Sequence, residues 1–127
     1  MTQEFIPYQQ ALALKELGFD EPCFRFQNNI SNIIEEKSWL NWNEVEQFVS
    51  FPLYQQAFRW FREKQEIEGF VHKSIEGNYY FVIKRIGNNE SNMYEFTKTS
   101  PKTFDTYEEA ELACLKKLIE IVKTKNI

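Results

Sequence analysis

The stretch Thr106–Lys123, TYEEAELACLKKLIEIVK, decides the reading of this chain. Thr106 precedes Glu109 by three residues, the spacing of a capping box, in which the hydroxyl accepts from the Glu109 amide and the carboxylate reaches back to the Thr106 amide. From that start Tyr107, Ala110, Cys114, Leu118 and Ile121 fall on one stripe with Leu115, Ile119 and Val122 beside it, while Glu108, Glu111, Lys116, Lys117, Glu120 and Lys123 point away. The acids crowd the positive end of the helix dipole and the lysines lie towards its negative end. A helix apolar on one side needs a surface to lie on, and the strand-rich sequence before it supplies one. The expected fold class is therefore α+β: an antiparallel sheet of three to four strands packed by about three helices, in a single domain spanning residues 1–127.

Composition narrows the function classes. At 127 residues the chain is long enough to bury about two thirds of its unfolded surface. Its two cysteines, Cys23 and Cys114, sit far apart in apolar patterns and read as reduced, buried thiols. Met1–Phe5 lacks a basic run followed by an apolar stretch, and no apolar segment approaches the roughly 20 residues of a membrane span, so a cytoplasmic protein is expected. The net charge of −4 is uneven: residues 1–50 carry eight acids against three bases, and residues 51–127 carry eleven against twelve. No concentrated positive surface is present, which argues against nucleic acid as a partner. Aromatic content is high, with 12 Phe, 6 Tyr and 3 Trp, enough to fill a core or line a contact surface.

Read in order, the chain opens with a helix from Pro7 to Leu17, started by a proline suited to the first helical position and stopped by Gly18. Tyr8, Ala11, Leu12 and Leu14 form its inner side. Cys23–Gln27 alternates at period two and reads as a short strand with Phe24 and Phe26 on one face. Asn28–Asn32 is turn-like, and Ile33–Ser50 shows no settled period, apart from a short helix that Asn41 and Glu44 would cap around Trp42, Val45 and Phe48. A second helix runs from Pro52 to Lys64, with Leu53, Tyr54, Ala57, Phe58 and Phe61 inward, Trp60 on the flank, and Gln55, Arg59 and Arg62 outward, ending before Gly69. Three β-rich runs follow, Phe70–Ile75, Tyr79–Ile86 and Met93–Lys98, with Tyr94 and Phe96 inward in the last. Their short polar connections join antiparallel neighbours.

Catalytic signals are few. The single histidine, His72, has no second imidazole with which to build a zinc site or a relay. No phosphate-cradling glycine loop, metalloprotease helix or nucleophile elbow occurs. No enzyme activity, cofactor or metal is expected. Arg59 and Arg62 stand at i and i+3 on the second helix, so their guanidiniums can converge on one phosphate or carboxylate, with Tyr54, Trp60 and His72 as neighbouring rings. A plain solvated face paired with Glu63 and Glu66 accounts for the same residues. Trp39 and Trp42 make a binding hot spot if exposed and need no explanation if buried.

Three segments, ALALKELGFDEPC (Ala11–Cys23), QQAFRWFREK (Gln55–Lys64) and TYEEAELACLKKLIEIVK (Thr106–Lys123), resemble a group of small bacterial and phage proteins, in the same order along the chain. The resemblance implies a compact accessory protein of a phage or mobile element and carries no assigned activity. Two functional expectations follow. The first is a non-catalytic accessory protein that binds a host or phage protein through an aromatic surface including Trp39, Trp42 or Trp60. The second is capture of a small nucleotide-type ligand, such as a defence signal, in a pocket joining Arg59 or Arg62 to an aromatic ring. The small residues of the closing helix equally suit a homodimer.

Overall fold

The described residues form three α-helices and two antiparallel three-stranded sheets, an α+β protein. The computed structural model describes the backbone of residues 4–89 and 92–125, and the side chains of residues 4–85 and 99–124. The single sheet expected from sequence is divided in two, and the chain resolves into two compact units, 1–57 and 58–127, with the boundary inside one helix.

In the first unit the helix α1, Tyr8–Glu16, follows Pro7, which takes the extended N-cap position just ahead of the helix. Gly18 at φ 99° closes it in the left-handed conformation that glycine adopts without strain, and the Phe19 amide donates back to the Leu14 carbonyl at 2.9 Å. Ala11 and Leu14 are buried. The sheet runs in the order β2-β1-β3, with β1 at Cys23–Asn28, β2 at Ile33–Leu40 and β3 at Phe48–Phe51. Asn28 and Asn32 shape the β1–β2 turn. The Asn28 side chain accepts from the Ile30 amide at 2.9 Å, and Asn32 takes φ 60°, which asparagine tolerates better than most residues. α1 lies against β3, where Val49 and Phe51 are buried. Between β2 and β3 the chain makes a single 3-10 turn at Trp42–Glu44, shorter than the helix expected there and without a side-chain cap from Asn41.

α2, Tyr54–Lys64, spans the boundary. Tyr54, Ala57, Trp60 and Phe61 are its buried positions, and Gln55, Arg59 and Arg62 are exposed. Trp60 therefore belongs to the buried stripe rather than to its flank.

In the second unit β4 (Ile67–Lys73), β5 (Tyr79–Asn89) and β6 (Asn92–Thr99) form an antiparallel sheet in that order. The expected inward set of Tyr94 and Phe96 lies outside the described side chains. α3, Tyr107–Lys125, lies on β4 and β5. It buries Ala110, Cys114, Leu115, Leu118, Ile119 and Val122 opposite Ile67, Phe81 and Ile83 of the sheet, while Tyr107 stays exposed. Its start is held by the Glu109 amide donating to Thr106 Oγ1 at 3.1 Å. The Thr106 hydroxyl donates to the Glu109 carboxylate at 3.2 Å, so the two side chains also bond to each other.

Gly69 sets how closely α3 can approach. A Cβ on it would stand 2.6 Å from Cys114 Sγ, 3.1 Å from Leu118 Cδ1 and 3.3 Å from Phe58 Cε1. The glycine that reads in sequence as a break before a strand is a strand residue, paired with Ile83, that lets helix and sheet meet at thiol distance. Gly69→Ala is expected to cost about 1–3 kcal/mol by overpacking. Gly69→Ala/Cys114→Ala should cost less than the two single changes together, because removal of Sγ relieves the first clash. Urea denaturation of all three variants at unchanged m-value measures both effects.

Candidate functional site

Among the described residues of the first unit, the large hydrophobic side chains that are exposed fall within residues 30–45. Of β2, Glu35 is the most covered residue, and Ile33, Ile34, Trp39 and Leu40 are each more than half exposed. Ile30 in the preceding turn and Val45 just after the 3-10 turn are exposed as well. β2 is an edge strand, hydrogen-bonded to β1 alone. Its ladder with β1 is regular from Asn28↔Ile33 to Arg25↔Glu36, and then Lys37, Ser38 and Trp39 stand against Phe24 alone before Cys23↔Leu40 resumes. Such a bulge re-aims side chains. Here Trp39 lies against Phe24, ring centroids 4.8 Å apart, and Phe24 meets Phe5 edge-on at 5.4 Å. The Arg25 guanidinium sits 3.9 Å from the centre of the Phe5 ring and donates to Glu36 Oε1 at 2.6 Å.

Trp42 is half-buried and anchored. Its ring stacks on Phe26 at 3.9 Å, meets Phe48 at 5.8 Å, and donates from Nε1 to the Cys23 carbonyl at 2.7 Å. The turn that carries it is tied down from two sides. Asn43 donates to the Phe19 carbonyl at 3.0 Å and accepts from the Ser50 amide at 2.9 Å. The Lys15 ammonium donates to the carbonyls of Val45, Glu46 and Phe48 at 3.1, 2.7 and 2.6 Å. Burial draws the Lys15 amine below its usual range, with the Glu46 carboxylate acting against that.

The other residues singled out in the sequence stand elsewhere. Tyr54 and Trp60 are core residues, 7 % and 2 % exposed, so neither ring face is open to a ligand. Arg59 and Arg62 are exposed on α2. His72, on β4, stacks on Tyr80 across the β4–β5 ladder at 5.4 Å and lies 6.2 Å from Phe70. Of the three tryptophans, Trp39 alone is exposed, at 57 %, with Trp42 half-covered beside the same sheet.

The thiols are chemically quiet. Cys23 Sγ lies 3.7 Å from both the Glu21 carbonyl and Gln56 Oε1, and Cys114 is sealed under α3. Burial, then the nearby Glu21 carboxylate, pushes the Cys23 thiol up to about 12. Burial, then Glu111, pushes Cys114 up to about 12 as well. No group of three or more metal-ligating side chains gathers among the described residues, and no helix among them is long and apolar enough to cross a membrane. No family model, curated protein or solved structure matches the chain.

A thiol held protonated in the folded state costs stability only where the unfolded chain would ionise. Below pH of about 8.5 both states carry the proton and stability is unaffected; between about 9 and 12 only the unfolded state loses it, so stability falls as pH rises. Both cysteines should resist Ellman's reagent at pH of about 8 in the native protein and react fully in guanidinium. A folded protein in which either thiol reacts at once contradicts the packing described.

Proposed function

We propose that the chain is a non-catalytic binding protein whose partner is another protein, taken on the Trp39 surface of its first unit. In the accessory role that the sequence resemblance implies, that partner is a host or phage protein. The observation that carries this reading is Trp39 itself, an indole 57 % exposed and set against Phe24 on an edge strand whose neighbouring apolar residues are exposed too. Isolated exposed apolar residues are ordinary, but six fall within residues 30–45, with consecutive pairs such as Ile33 and Ile34 on opposite faces of β2. Tryptophan is also the residue type most enriched in interface hot spots, since one ring buries a large area at little entropic cost. The ring contact with Phe24 and the anchoring of Trp42 favour recognition further, because a held surface loses less freedom on binding.

Trp39→Ala should change the unfolding free energy by less than about 1 kcal/mol, as expected for a side chain that contributes little to the core. It should nonetheless abolish retention of the partner when the immobilised protein is used to capture proteins from a lysate. Lys116→Ala, on the exposed side of α3, should retain it. A partner kept equally by wild type and Trp39→Ala would place the binding surface elsewhere.

A further inference from the structure

We infer that the connection 41–46 between β2 and β3 is a latched lid over Phe26, held shut by the Lys15 ammonium and able to open while the strands on either side stay paired. The β1–β2 register ends at Leu40 and the β1–β3 register begins at Phe48, so the connection lies outside both ladders. None of its residues is buried, and apolar burial therefore contributes little to holding it down. Its one ring, Trp42, stacks on Phe26 at 3.9 Å, and Phe26 beneath it is 1 % exposed. What fixes the connection is mainly polar. Trp42 Nε1 donates to the Cys23 carbonyl, Asn43 bridges the Phe19 carbonyl and the Ser50 amide, and Lys15 Nζ donates to the carbonyls of Val45, Glu46 and Phe48.

Lys15 differs in kind from the other tethers. It reaches the connection from α1, and three carbonyls take up all three protons of one ammonium. A neutral amine has only two protons and would turn its lone pair towards the third oxygen, so this hold requires the charge. Hydrogen bonds from a charged donor are also stronger than those the neutral tethers make. Asn41, at the root of the connection, works against closure. Its Oδ1 is buried and has no hydrogen-bond partner among the described residues, and water would satisfy it once the connection lifts. A segment held down by one side chain and opposed by another has two arrangements close in free energy, the property expected of a locally opening element.

Native-state hydrogen exchange, followed by NMR at low and rising urea, tests this. Three reporters belong to the closed lid: the Phe48 amide, which donates to the Val45 carbonyl, the Ser50 amide, which donates to Asn43, and the Trp42 indole. In the wild type they should exchange through an opening that hardly depends on urea, with protection factors at least about tenfold below those of the β1 ladder amides, which should follow the urea dependence of global unfolding. Lys15→Met, which keeps the length of the side chain without its charge, should lower the protection of the three reporters by at least about tenfold more, and Asn41→Ala should raise it severalfold. Reporters that share the urea dependence of the ladder amides would overturn the lid, and this holds in the wild type even if Lys15→Met fails to fold. A separate opening left unchanged by Lys15→Met would overturn the latch, and one left unchanged by Asn41→Ala would overturn the opposing role given to that residue.

Discussion

β2 joins its sheet through β1 alone, and the character of the first unit follows from that constraint. A strand covered on one face gains most of its stability from burial; β2, with all but one of its residues exposed, gains little. What remains is the backbone ladder, the Arg25–Glu36 pair across it and the contact of Trp39 with Phe24. Each contributes modestly, the partly exposed ion pair least of all. A strand so lightly held yet carrying two isoleucines, a tryptophan and a leucine into solvent is poorly accounted for by folding alone. A contact role accounts for it more simply.

The second unit shows the opposite economy. α3 presses onto β4 and β5 closely enough that Gly69 has no room for a Cβ beneath Cys114, and the buried residues of the helix interlock with Ile67, Phe81 and Ile83. Close packing of this kind forms a core that tolerates little change in volume. The two cysteines share this inert character: buried, with burial favouring the protonated thiol, they are volume rather than chemistry.

How legible each part is in sequence tracks how one-sided its burial is. α3, α2 and β5 are readable because one side of each meets a core, so apolar residues recur at the period of the element. β2 is unreadable for the same reason in reverse. Ile33-Ile34-Glu35-Glu36-Lys37-Ser38-Trp39-Leu40 has no buried face to impose alternation, and its bulge breaks whatever phase remains. β3, four residues long, is too short to show a pattern. Trp60 is harder to read: about 60° around the helix from Ala57 but about 120° from Tyr54, it stands at the edge of the apolar stripe, and the sequence does not show that this edge is covered. Gly69 carried a misleading signal. Glycine ordinarily marks a break, and nothing in the sequence reveals that a helix some forty residues on will rest against it.

The exposure of Trp39 relative to the other two tryptophans is the point on which the account turns. Fluorine NMR of the protein labelled with fluorotryptophan, assigned by single Trp→Phe variants and read against a soluble gadolinium chelate, measures it directly. The account predicts the strongest paramagnetic broadening at Trp39, an intermediate effect at Trp42 and the least at Trp60. A Trp39 resonance as protected as that of Trp60 would contradict it.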